Sequence, residues 1–123
     1  MMLSFIRIFL VLYGVIAVAT GFMGMTSSYD PAITDAMQDN NHRYVAAIWA
    51  SMSLAFFYVA WNPSETALFR FLMIAVFIGG IVRAVALVNY KPTPFLIFLI
   101  LIELIPTALM FWMHNKLLNS GSL

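Results

Sequence analysis

The sequence predicts an all-α membrane protein, a four-transmembrane-helix bundle with both termini in the cytoplasm (N-in/C-in), and three observations carry that expectation. Aliphatic, aromatic and sulfur-containing residues make up 63% of the 123 residues, against about 45–50% apolar residues in an ordinary soluble domain. Charged residues are only 9%, where about 25% is usual. The apolar residues gather in four long runs, each near the ~20 residues that cross a ~30 Å hydrocarbon core. A soluble domain of this length buries only part of its chain and has nowhere to hide so much apolar surface. Lipid is the solvent that remains.

The runs read as helices because they are long and continuously apolar, whereas barrel strands alternate over about ten residues. A helix also pairs its backbone amides within one segment, as hydrocarbon demands. The first helix is expected over about residues 5–25, with Arg7 near its start. Arg7, the apolar run and the small pair Ala17 and Ala19 also resemble a secretory signal and its cleavage site. The uncharged run continues through Gly21 to Met25, so a retained helix is expected. A polar loop over 26–42, expected outside the cell, carries Asp30, Asp35 and Asp39. The second helix is expected over about 43–61, closed by the breakers Asn62-Pro63-Ser64-Glu65. The third covers about 67–88 and the fourth about 94–113. The short Asn89-Tyr90-Lys91-Pro92-Thr93 between them forces an antiparallel hairpin. Asn115 to Leu123 reads as a short mobile tail. One domain, 1–123, accounts for the length.

Orientation follows from Lys and Arg in the short flanks. Arg7, Arg70 and Lys116 fall on the side of the termini, Arg43 and Lys91 on the other beside the three aspartates. That bias sets the termini inside. Helix contacts in lipid rely on small residues that let backbones approach. Ala17 and Gly21 with Gly14 and Gly24, Ala46 with Ala50, Ala47 with Ser51 and Ala55, and Gly80 with Ala84 supply such ladders.

Several function classes lack their residues. Cys is absent, which excludes a disulfide scaffold, thiolate metal sites and dithiol redox chemistry. A formal charge of +1 with no basic stripe gives no reason to expect nucleic acid. Nucleophile elbow, phosphate-binding glycine loop and helical metal-binding histidine pair are all missing. No enzyme, cofactor or metal is therefore expected. Nine Met and eleven Phe read as filling for helix contacts and lipid faces.

Ionisable residues within a span are costly and point to pairing or function. Arg83, about two turns inside the third helix, and Glu103, near the middle of the fourth, lie at similar depth, and a guanidinium fork suits a carboxylate. They are expected to interact, either as a lock between the two helices or as a ligand site. So close an arginine argues against a freely titrating Glu103 unless water or substrate breaks the pair. Gly79, four residues before Arg83, shares its face and opens space beside it. Pro106 cannot donate to the carbonyl of Ile102, and should kink the fourth helix or free an acceptor near Glu103. A second constellation, Asp39-Asn40-Asn41-His42-Arg43-Tyr44, stands at the mouth of the second helix. Asp39 or Asn40 is expected to cap that helix, and Arg43 to snorkel to the interface, bind a lipid phosphate or turn toward Glu103. Asp39 and His42 are too few for a metal site. His114 reads as interfacial, as do most of Tyr13, Tyr44, Tyr58, Trp49, Trp61 and Trp112.

The order of these residues resembles a bacterial membrane family known only as domain of unknown function 4345. The likeness rests on Asp39 to Tyr44, Thr66-Ala67-Leu68-Phe69-Arg70, Phe77-Ile78-Gly79-Gly80-Ile81-Val82-Arg83, Lys91-Pro92, and Glu103-Leu104 with Pro106. It covers nearly the whole chain. Its most specific part is Gly79-Gly80-x-x-Arg83 followed by the intramembrane Glu103. The resemblance implies a four-helix bacterial inner-membrane protein, distantly DoxX-like, and brings no reaction with it.

These readings together give the expectation of a non-catalytic protein of the bacterial cell envelope. It would bind membrane lipids, another copy of itself or another envelope protein, and support the permeability barrier and drug tolerance. Two other functions are kept in view. Four helices and one membrane glutamate resemble small oligomeric proton-coupled exporters, although those place their essential carboxylate in the first helix, which has none here. A quinone-binding redox subunit would use the Arg83 and Glu103 pocket.

Overall fold

A backbone amide in hydrocarbon finds no water to bond, and the apolar runs meet that constraint as helices. The computed structural model describes residues 1–28, 31–32 and 34–123; Asp30 lies outside them. Among the described residues there are four helices and no strand: α1 Met2–Thr26, α2 Ala36–Trp61, α3 Thr66–Ala86 and α4 Pro94–Asn119. Each is long and apolar enough to cross a membrane. Even the shortest, 21 residues, makes roughly 31 Å at 1.5 Å per residue.

The helix ends depart from the sequence expectation where polar residues are helical. α2 begins at Ala36, not near residue 43, so the polar connection is 27–35 rather than 26–42. Asp35, not Asp39 or Asn40, is the cap: its carboxylate accepts from the Met37 amide at 3.0 Å. Asp39 sits in the first turn, where the helix dipole favours a negative charge. α3 ends at Ala86, two residues before the expected 88, and tightens through Leu87 N–H to Ala84 O at 3.2 Å and Val88 N–H to Val85 O at 3.1 Å. Arg83 therefore lies in its last turn rather than two turns inside. α4 starts on Pro94 with the Thr93 hydroxyl accepting from Leu96 N–H at 3.2 Å. It runs to Asn119, well beyond the expected 113, so most of the supposed tail is helix. Gly121, at φ 71°, ends it: Gly121 N–H bonds Leu118 O and Ser122 N–H bonds Leu117 O, the paired closure that a left-handed glycine permits.

The helices form a four-cornered antiparallel bundle. α1 packs most extensively on α2, α3 on α4, and α1 also meets α4, while α2 and α3 touch least; the diagonal pairs do not meet among the described residues. Small residues set the closest approaches. A Cβ on Gly21 would stand 2.6 Å from Ala50 N and 2.7 Å from Ala46 O, and one on Gly24 2.7 Å from Ala46 Cβ. On the α3/α4 side, a Cβ on Gly80 would meet Leu104 Cδ2 at 2.8 Å and Glu103 Cβ at 3.0 Å.

The core is lopsided. Its buried residues, among them Ile6, Leu10, Phe56, Val59, Phe69, Leu72, Met73 and Met110, lie toward the end that carries both termini. That terminal end is also tied by His114, which is fully buried. Its Nε2 donates to the carbonyl of Pro63 in the α2–α3 turn at 2.7 Å, and its ring stacks on Phe69 at 3.9 Å. His114 is thus a core residue and not an interfacial one. Large side chains such as Phe71, Ile78, Phe98, Leu101, Ile105 and Trp112 point outward, as a lipid-facing surface requires.

Gly21→Ala should destabilise the fold by about 1–3 kcal/mol, because its methyl meets backbone that cannot swing aside. Gly79→Ala, whose Cβ would meet nothing within 4 Å, should stay within about 0.5 kcal/mol of wild type. Thermal unfolding of the two variants in detergent checks the contrast.

Candidate functional site

The half of the bundle away from the termini, called here the hairpin end, holds the polar residues. Close approach of α3 and α4 at Gly80 brings Arg83 and Glu103 together, and Arg83 Nε donates to Glu103 Oε1 at 3.0 Å. The pair is asymmetric: the Arg83 side chain is 48% exposed and that of Glu103 15%. Glu103 Oε2 is buried with no hydrogen-bond partner among the described residues. An arginine in the last turn also faces the negative end of its helix dipole.

Behind Glu103, α4 is repaired around Pro106. Proline has no N–H to give to the carbonyl four residues earlier, here Ile102. The Tyr13 hydroxyl of α1 donates to that carbonyl at 2.6 Å. Tyr13 is only 3% exposed, so it belongs to the core and not to an interfacial belt. The Thr107 hydroxyl bonds the carbonyls of Glu103 and Leu104. Tyr13 was legible in principle: Ile6, Leu10, Tyr13 and Ala17 fall on one helical stripe, all buried. The matching stripe on α4 is Ile100, Glu103, Thr107, Met110, His114 and Leu117, spaced alternately three and four apart. Every polar member of it faces the bundle.

A cavity of about 450 Å³ occupies the hairpin end, complementary to the core at the terminal end. α3 contributes Gly79 and Arg83 to its wall, α4 contributes Glu103, and α2 contributes His42 and Trp49. Gly21 and Gly24 of α1 line it too, and Met52 with Val76 lie toward its deeper end. Trp49 Nε1 is held by the Thr20 hydroxyl at 2.9 Å. The volume falls within the ~300–1,000 Å³ range of small-molecule sites.

Of the sequence-selected residues, Arg83, Glu103, Gly79 and His42 share this cavity. Gly80 packs on α4 beside it, and Pro106 acts from α4 through the Ile102 carbonyl. The other group stands apart. Arg43 Nε donates to Asp39 Oδ2 at 2.9 Å, Nη1 to Met25 O at 2.7 Å and Nη2 to Ser27 O at 3.0 Å. Its guanidinium satisfies carbonyls at the end of α1 and does not turn toward Glu103. Asn40 is exposed and caps nothing. Among the described residues no three or more His, Asp or Glu side chains converge as a metal site would require.

A sequence model described as a domain of unknown function, DUF4345, matches residues 5–114. The chain belongs to this family. No curated protein matches the chain, and no solved structure does. The DUF4345 match takes in the cavity, the Arg83–Glu103 pair, Tyr13 with Pro106, and His114.

Tyr13→Phe should cost about 1–3 kcal/mol, the penalty for leaving the buried Ile102 carbonyl without a donor. In a Pro106→Ala background the restored amide N–H supplies that donor, and the same substitution should cost less than about 0.5 kcal/mol. Unfolding free energies of the four proteins form the double-mutant cycle that checks this coupling.

Proposed function

We propose that this chain is a non-catalytic, multi-pass protein of the bacterial inner membrane. It holds a membrane lipid in the hairpin-end cavity and so supports the envelope's permeability barrier and drug tolerance. The observation that carries the reading is the position of the cavity. It lies where α2 and α3 touch least, beside a half-exposed Arg83 in the last turn of its helix. A guanidinium at that depth reaches the interface while its stem stays along apolar surface, which is where a lipid headgroup is met. The apolar walls at Met52 and Val76 suit the hydrocarbon that follows.

A second reading, a small oligomeric proton-coupled transporter, draws on one feature. Glu103 lines the cavity with one carboxylate oxygen unpaired, and membrane carboxylates of that kind serve proton relays.

The two readings and a purely structural pair separate in cells lacking the native gene. Under the lipid-binding reading, loss of the protein raises sensitivity to detergent and lipophilic drugs. Gly79→Leu, which fills the cavity, stays abundant yet fails to restore tolerance. Lipid seen on the purified protein by native mass spectrometry is lost with it. If Arg83→Glu and Glu103→Arg each remove the protein and their combination restores both level and tolerance, the pair is only a lock. Substrate-driven proton movement in proteoliposomes, abolished by Glu103→Gln, would select the transporter.

A further inference from the structure

The cavity is graded along the membrane normal, and its grading specifies a ligand. His42, Gly24 and Arg83 stand at its hairpin end, Glu103 and Gly79 come next, and Met52 and Val76 lie deepest. Arg83 spends only Nε on Glu103, which leaves the two terminal nitrogens of its fork for an anion; such forks match phosphate. Glu103 presents the opposite demand. Oε1 is taken by Arg83, while Oε2 has no donor among the described residues and is shut off from solvent, so a donor in the cavity meets it once the Glu103 side chain rotates. An acceptor left so costs free energy until a donor reaches it. The complementary molecule therefore carries, in order from the interface inward, an anionic group, a hydrogen-bond donor and a hydrocarbon chain.

A diacyl glycerophospholipid meets only the first and last of these. Both glycerol hydroxyls are esterified, so the atoms just below its phosphate are acceptors, and acceptors leave Oε2 unpaired. Removing one acyl chain supplies the missing group: the freed glycerol hydroxyl stands one carbon from the phosphate-bearing carbon and donates. We propose that the cavity selects a single-chain lysophospholipid, its phosphate on Arg83, its free hydroxyl on Glu103 and its one chain along Met52 and Val76. The inference rests on the lipid-binding reading and adds to it the class of lipid. No bond is made or broken in the site; the selection is by binding alone.

The full chain in maltoside micelles tests it, with Trp49 fluorescence as the readout in a Trp61→Phe/Trp112→Phe background, since Trp61 and Trp112 are exposed. Lysophosphatidylethanolamine is compared with its analogue lacking the free hydroxyl, with diacyl phosphatidylethanolamine, with monoacylglycerol and with inorganic phosphate. The expected order puts the lysophospholipid first. Its deoxy analogue and the diacyl lipid should bind about ten-fold more weakly or worse, the loss of one hydrogen bond to a charged group. Monoacylglycerol loses the Arg83 contact and should weaken similarly, and inorganic phosphate should not compete. In Glu103→Met the lysophospholipid and its deoxy analogue should bind alike. Gly79→Leu, built into open space, should abolish all binding and keeps the test readable where Glu103→Met fails to fold. Equal binding of the deoxy analogue or the diacyl lipid overturns the proposal and leaves the lipid-binding reading standing. No binding of any phospholipid to the wild type overturns both.

Discussion

A carbonyl that a helix leaves over within hydrocarbon must find a donor inside the protein, because its surroundings have none to offer. Three of the polar side chains that composition makes so scarce answer carbonyls left over there or at the helix ends. Arg43 takes the carbonyls of Met25 and Ser27 where α1 ends. Tyr13 takes the carbonyl of Ile102 that Pro106 abandons. His114 takes the carbonyl of Pro63 in the α2–α3 turn. Each contact joins two elements distant in sequence, so satisfying the backbone also fixes the arrangement of the bundle. Tyr13 ties α1 to α4, Arg43 ties α2 to the end of α1, and His114 ties α4 to the connection between α2 and α3.

These ties explain where the bundle is tight and where it is not. His114, stacked on Phe69, closes the terminal end, and the large buried side chains gather with it. At the hairpin end α1 and α2 are drawn together through Gly21, Gly24 and Ala46, and α3 meets α4 through Gly80. Among the described residues nothing comparable draws α2 toward α3 there. Two tight pairs joined at one closed end leave space between them at the other, and the cavity lies in that space. Gly79 deepens it, since no neighbour fills the place where its side chain would be.

Much of this was legible in the residues, and the exceptions have physical causes. The four spans follow from composition because lipid admits so few other solutions. The meeting of Arg83 and Glu103 follows from the cost of charge at depth together with the short turn between their helices. Hydropathy is blind to the first two turns of α2, since Gln38 to His42 is polar yet held helical by the Asp35 cap and the Asp39–Arg43 contact. For the same reason α4 outran its apolar run. Arg43 answers the open carbonyls of the preceding helix, partners to which residue type alone does not point. Residue type points Tyr13 and His114 to interfaces, and their places on buried stripes, alternating three and four, are the better signal. Pro106 announced an abandoned carbonyl; a sequence does not say which helix will answer it.

The state of Glu103 bears on whether its contact with Arg83 is only a brace. A brace works best with both partners enclosed and every lone pair met, because leaving a buried charged group under-satisfied costs more than the pair returns. Here the arginine is half exposed, one carboxylate oxygen has no donor, and the space beside them is open. The neighbouring backbone shows that the fold is able to satisfy a difficult acceptor at this depth, since Tyr13 reaches the Ile102 carbonyl one residue away. A chain that repairs the carbonyl of Ile102 and leaves Glu103 Oε2 wanting has placed its one intramembrane carboxylate where an incoming donor improves it. That imbalance, more than the presence of charge in the membrane, is what the proposed lipid site rests on.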